Sequence, residues 1–249
     1  MNAAPTTSTI PDRDLDEVLA ATRDLWPDLA GRRLFVTGGT GFFGMWLLET
    51  FRHANARLAL GAEVTVLTRD AAAFRARAPH LAGAADVRLV AGDVRSFAFP
   101  EGHFAAVVHA ATPAAAAQHE EDPLGTLDTI VEGTRRALDF AAHAGAKRFL
   151  LTSSGAVYGR HPTGEPLRVP EDFRGGPDPL DPRASYAEGK RLAEHLGALY
   201  HARHGIAATA ARCYACLGPH LQLDTSFAMG NFIRDGLRGG PIRVNSDGT

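Results

Sequence analysis

Cysteine is nearly absent, with two in 249 residues. That excludes a disulfide scaffold and fits a reducing cytosol, so the cytoplasm is the expected compartment. The two spell a C-x-x-C pair, Cys213 and Cys216, but one such pair cannot complete a four-ligand zinc site. It falls on a predicted strand after Ile206, where buried packing is the expected role, and no metal is expected. An excess of charge of either sign is missing too: 26 Lys and Arg against 28 Asp and Glu give a formal net charge of -2. With a pI near 6.6 there is no basic footprint for nucleic acid or for an anionic membrane surface. No apolar run is long enough to span a bilayer, and residues 1–14 lack the basic and apolar regions of a secretory signal. No internal repeat is visible, and the alanine run at 114–117 reads as compositional bias.

What the chain does contain is apolar residues, 45% of the total, enough for one substantial core. They fall into alternating short and long runs. The short ones predict strands over 33–37, 63–68, 87–91, 105–110, 147–152 and 207–212; the long ones predict helices over 45–58, 125–144, 185–204 and 226–238. Such alternation implies right-handed crossovers and a parallel, doubly wound α/β sheet. Ahead of it, residues 1–12 read as a mobile tail and 14–26 as a short helix, its Leu15, Val18, Leu19, Leu25 and Trp26 near helical spacing and Pro27 ending it. That leader is expected to cover either the sheet edge or a partner subunit. The Pro-, Gly- and acid-rich stretch 159–182 reads as a loop over a site.

Three motifs carry chemistry, and their order along the chain matters more than any one of them. The first strand runs into Thr37-Gly38-Gly39-Thr40-Gly41-Phe42-Phe43-Gly44 and then into a helix. Glycines in a strand–turn–helix context let the backbone approach a pyrophosphate, while the first helical amides point at its charge. The spacing here is Gly-x-x-Gly-x-x-Gly rather than the commoner Gly-x-Gly-x-x-Gly. The fifth strand ends in Thr152-Ser153-Ser154, hydroxyls at the carboxyl end of a strand, where ligands of parallel sheets bind. Tyr186 and Lys190 then lie four apart on a predicted helix and share a face. A tyrosine titrates near 10, so a neighbouring ammonium is what would make it a usable base near neutral pH.

In this combination the chain resembles an extended short-chain dehydrogenase/reductase of the NAD-dependent epimerase/dehydratase family, which acts on nucleotide sugars. The matching residues are 37–44, Asp93, His109-Ala110-Ala111, 153–159, Tyr186 with Lys190, and Arg212 with Gly218-Pro219, spanning about 32–249. The resemblance implies a Rossmann-type domain over 31–249, with a partial substrate-binding region from about 159–182 and 213–249. It implies a cofactor held by Gly38, Thr40, Gly41, Phe42, Phe43 and Gly44. Asp93 would meet the adenine amino group, and Val94, Ala110, Ala111, Tyr186 and Lys190 would also contact the cofactor. Catalysis would fall to Ser154, Tyr186 and Lys190, with Ser154 and Asn231 touching the substrate. The expected partners are a nucleotide sugar and a second copy in a homodimer.

The end of the second strand bears on the choice between NADP and NAD. Thr68 stands where an acid would favour NAD, and Arg69 follows it, so NADP is the preferred expectation. In the alternative, Arg69 stacks on adenine and Asp70 takes the ribose. The implied reaction begins with oxidation at a sugar C4. After Ser154 the chain has Gly155-Ala156, where dehydratases of the family carry Asp-Glu and decarboxylases place a glutamate at the second position. The local pattern therefore resembles the epimerases. The alternatives are an NADPH-dependent carbonyl reductase using the same three residues, a dehydratase or decarboxylase with an acid displaced to Glu165, Glu171 or Asp172, and a catalytically silent nucleotide sensor. Two further departures are the missing asparagine before Gly133-Thr134 and Ala215 in place of a common asparagine. Where the chain stops, relatives continue into more of the substrate lobe. The expectation is thus a fragment or a shortened member, one that binds cofactor but turns nucleotide sugars over poorly.

Overall fold

The computed structural model describes residues 10–112, 121–159, 168–223 and 228–244. Six parallel strands, β1 (Arg33–Thr37), β2 (Glu63–Thr68), β3 (Val87–Ala91), β4 (Ala106–His109), β5 (Arg148–Ser154) and β6 (Ala207–Cys213), pair in the order β3-β2-β1-β4-β5-β6. This is the Rossmann order, in which the chain winds outward from β1 in one direction and then from β4 in the other. The helices are α1 (Asp12–Thr22), α2 (Phe42–Leu58), α3 (Ala71–Arg77), α4 (Pro79–Ala82), α5 (Pro123–His143), α6 (Ser185–His204) and α7 (Ala228–Leu237). The expected strands all form, with β5 and β6 running slightly further than predicted. The expected loop 159–182 is described only at Gly159 and from 168 onward, and it contains no helix or strand there until a 3-10 turn, Pro182–Ala184, begins at its end. Residues 1–9 of the expected tail, the alanine run 114–117 and Glu165 lie outside the described residues.

Each central strand sends alternate side chains to two different cores, as the period of two requires. Phe35 points into a cluster with Phe97, Phe104 and Phe140 beneath α5 and α6. Its neighbours Leu34 and Val36 point the other way, into Met45, Leu48 and Phe51 of α2. The Phe35 and Phe140 ring centroids are 4.4 Å apart, and Phe35 and Phe104 meet edge to face at 5.9 Å. Truncating a ring in so closed a core costs about 3–5 kcal/mol.

The leader differs from its expectation. Pro27 does not end a helix over 14–26; α1 stops at Thr22 and Pro27 sits inside a following 3-10 turn, Arg23–Leu29. Proline's fixed φ is compatible with helical backbone, so Pro27 can sit within this short 3-10 run at the loss of one internal hydrogen bond. Nor does α1 cap a sheet edge. It lies on α2, burying Leu15 and Leu19, and Asp16 holds His53 at 2.8 Å and Arg57 at 3.3 Å on the helix beneath.

Candidate active site

β1 and β4 are neighbours whose chains then turn to opposite sides, and the crevice between their carboxyl ends is where such sheets bind ligands. Here the two strand ends are tied by Thr37 Oγ1 and His109 Nδ1, 2.7 Å apart and buried, while the Ala111 amide donates to the same Thr37 oxygen at 3.3 Å. Burial and the nearby Lys190 ammonium push His109 down to about 3, so the imidazole is neutral. A neutral His109 shares one hydrogen bond with Thr37 through Nδ1, donating or accepting according to which ring nitrogen carries the proton.

Above this tie the glycine turn is packed as tightly as its sequence suggests. Gly38 has φ +69°, and a Cβ there would fall 2.3 Å from the Ala110 carbonyl carbon; a Cβ on Gly44 would fall 2.3 Å from Gly38 O. The turn ends at Gly41, whose lack of a side chain leaves the first amides of α2 uncapped. They face a cavity of about 1030 Å³. That is at the upper end for small-molecule sites, roughly 300–1,000 Å³. A bare, positively polarised helix start behind backbone that no Cβ could enter fits a dinucleotide pyrophosphate.

The other wall comes from β5 and α6. Gly189 lets α6 settle on α5, where an added Cβ would lie 3.2 Å from Ile130 Cδ1, and this seats Tyr186 and Lys190 over the strand ends. Tyr186 is hydrogen-bonded to Ser154. Lys190 is 2% exposed, and its Nζ donates to Thr112 Oγ1 and Thr152 O, both at 2.7 Å. Burial lowers it from 10.5 to about 8. Tyr186 goes the other way: burial raises it, the Ser154 hydrogen bond pulls against that, and the Cys213 thiol adds to the rise. The ammonium lies 5.8 Å from the Tyr186 ring centroid and is turned to Thr112 and Thr152. Tyr186 therefore holds its proton at neutral pH in this arrangement.

One helical turn beyond Lys190, Glu194 takes the Ser153 hydroxyl and both edges of Arg212, Nη2 to Oε2 at 2.8 Å and Nε to Oε1 at 3.1 Å. Burial alone would raise its carboxyl, but Arg212 and Ser153 hold it low. The Arg212 guanidinium also lies 4.6 Å over the Tyr158 ring and donates to Glu171 O. This assembly clamps β5, α6 and β6 together directly behind the catalytic candidates.

Residues 34–249 match the NAD dependent epimerase/dehydratase family. The chain belongs to that family. UDP-glucuronic acid decarboxylase 6 of Arabidopsis thaliana is 34% identical over 219 residues, which are 87% of this chain and 60% of that protein. UDP-glucuronic acid decarboxylase 1 of Xenopus tropicalis is 31% identical over 87% of this chain and 49% of its own length. The chain thus spans about half to three fifths of these curated relatives. Among solved structures, dTDP-glucose 4,6-dehydratase DesIV of Streptomyces venezuelae, with NAD and TYD bound, superposes with TM-score 0.69 at 27% identity, covering 87% of this chain and 65% of its own. UDP-glucuronic acid 4-epimerase of Bacillus cereus, in complex with UDP-glucuronic acid and NAD, gives 0.70 at 22% identity over 87% and 67%, a likeness of fold.

In this epimerase/dehydratase-family chain the expected cofactor residues, from Gly38 through Gly44, Arg69, Asp93, Val94, Ala110 and Ala111, line the same cavity as Ser154, Tyr186 and Lys190. Asn231 is not brought there: it lies on α7 and its Oδ1 accepts from Arg234 at 2.9 Å. Asp70 is committed elsewhere, capping α3 by accepting from the Ala73 amide at 2.8 Å. Asp93 is gripped by Arg95, whose hydrogen bond lowers its carboxyl. The cysteines correct the expectation of buried packing. Cys216 is exposed, Cys213 is half-buried, and both line the cavity, because β6 ends at Cys213 and the chain turns over the site. Thr112, Glu194 and Tyr214 were not anticipated. Glu194 carried a usable signal, since it continues the four-residue spacing of Tyr186 and Lys190.

Proposed function

We propose that the chain binds a nicotinamide dinucleotide and oxidises a nucleotide sugar transiently at C4, in an epimerase-type reaction. The observation that carries the choice over dehydration is the absence of an available acid. Among the described residues lining the cavity, the carboxylates are Asp93, held by Arg95, and Asp122, which caps α5 by accepting from the Gly125 amide at 2.9 Å. Glu171 and Asp172 do not line it. Elimination of water from C5 and C6 needs a proton donor for the leaving hydroxyl, and none stands free there. Epimerisation needs only one acid/base at the C4 oxygen and re-addition of the same hydride.

A bound nicotinamide would supply the hydride acceptor. The chain's own residues would handle the proton. Ser154 would orient the C4 hydroxyl, and Tyr186 Oη would take and later return its proton. Lys190, fixed by Thr112 and Thr152, would bring positive charge to that side of the site and hold the cofactor ribose. The two solved neighbours named above hold NAD, and NAD is the cofactor we assign first. Arg69 supports an NADP alternative, since no free acid stands at the end of β2.

Decarboxylation is the second reading, favoured by the sequence relatives named above; a C4 ketone activates loss of a C5 carboxylate without a further protein acid. Incubation with UDP-, dTDP-, GDP- and CDP-sugars, UDP-glucuronic acid among them, separates the readings by product mass. A product of unchanged mass but different chromatographic retention is expected. Loss of carbon dioxide would replace epimerisation by decarboxylation, loss of water would overturn the argument from missing acids, and net consumption of NADPH would make the protein a reductase.

A further inference from the structure

Tyr214 is 63% exposed, yet its ring is seated against backbone. A Cβ on Gly155 would lie 2.5 Å from Tyr214 Cε1 and 2.7 Å from Cζ, so the ring occupies the space a side chain at 155 would fill. Gly155 is not among the glycines with positive φ, so its backbone would accept other residues. It is the ring that needs the glycine. Gly155 follows Ser154 directly, and Tyr214 lines the cavity beside Ser154 and Tyr186. The ring therefore rests on Gly155 while the rest of it stands open, next to the hydroxyls proposed to handle the C4 oxygen.

A pyranose has a face of C–H groups and an edge of hydroxyls. An open aromatic face buries the first, and neighbouring hydroxyls bind the second. We propose that Tyr214 is the platform for the sugar ring of the substrate and that Gly155 is bare in order to seat it. The proposal rests on the nucleotide-sugar reading and adds to it the element that selects a hexopyranose. It also explains why that position carries no acid: a carboxylate at 155 would displace the ring.

The test is calorimetry on NAD-loaded full chain with UDP-glucuronic acid against UDP, and with dTDP-glucose against dTDP. At least one sugar nucleotide should bind wild type more tightly than its parent diphosphate. Tyr214→Phe should keep that gain. Tyr214→Ala should lose about two- to tenfold of it, the range for an aromatic contact, with diphosphate affinity unchanged. Gly155→Ala should do the same, since an exposed ring can swing aside without unfolding the strand. If Gly155→Ala does not fold, Tyr214→Ala decides. A gain retained in Tyr214→Ala, or an equal loss for the diphosphate, overturns the platform and leaves the functional reading standing. A wild type with no gain for either sugar overturns both.

Discussion

Lys190→Met should make the cofactor-free protein more stable at pH 7 while disabling its site. Lys190 is 2% exposed, and burial lowers it from 10.5 to about 8. A displacement of that size corresponds to roughly 3 kcal/mol of cost for holding the charge in the folded state. Methionine has a similar length and no charge, but it leaves Thr112 Oγ1 and Thr152 O without their Nζ donor. At about 1 kcal/mol for each lost hydrogen bond, the variant should still gain on the order of 1 kcal/mol. The pH dependence carries the proof. Below pH 8 the lysine is protonated folded and unfolded, and the cost is fully present. Between 8 and 10.5 the folded state releases the proton while the unfolded state keeps it, so wild-type stability rises with pH relative to the variant. Above that the cost is gone, and the variant, short of two hydrogen bonds, should be the less stable. Urea unfolding of both proteins from pH 7 to 10.5 would show the curves crossing. A variant already less stable at pH 7, with a gap that does not move with pH, would refute the buried-charge argument.

Tyr186→Phe should bind the dinucleotide as wild type does and lower turnover by about a hundredfold or more, the scale of a lost acid/base; near-normal turnover in an assay that separates the isomers chromatographically would remove its role. Gly44→Ala should abolish dinucleotide binding by calorimetry, because the new methyl would meet Gly38 O at 2.3 Å and neither backbone can withdraw. Arg69→Ala should weaken NADP by about 1.5–3 kcal/mol and leave NAD unchanged if the guanidinium reads the 2′-phosphate; equal loss for both would mean it stacks on adenine.

The cofactor side of the site was legible because its chemistry is a backbone matter. Gly38, Gly41 and Gly44 announce a turn that nothing with a Cβ can make, and the strand before them and helix after them follow from periodicity. Tyr186 and Lys190 were legible for a related reason, their fixed spacing on one helix. What pairing would do to them was not. The sequence suggests an ammonium that stabilises a phenolate, but whether Lys190 turns toward Tyr186 depends on Thr112 and Thr152, residues 78 and 38 positions away that compete for its Nζ. The substrate side was least legible. Tyr214 meets Gly155 across the fold, a relation that no local period announces, whereas Asn231 bonds Arg234 one turn on along α7, at a spacing the sequence does show.

The two sides are nonetheless tied through one helix. The amino end of α2 forms the bare cradle, and its outer face holds the loop that follows β6. Trp46 Nε1 donates to Pro219 O at 3.0 Å, and its ring lies against Gly218. One turn on, buried Glu49 meets His220 Nε2 at 2.9 Å and His80 Nε2 at 3.1 Å. An ionised carboxylate can only accept, so whenever Glu49 is charged both imidazoles donate to it through Nε2. His220 itself has φ +72°, in the left-handed region that few non-glycine residues enter. The loop so fastened runs back from His220 to Tyr214. The helix that starts at the glycine turn therefore also anchors the segment that carries Tyr214.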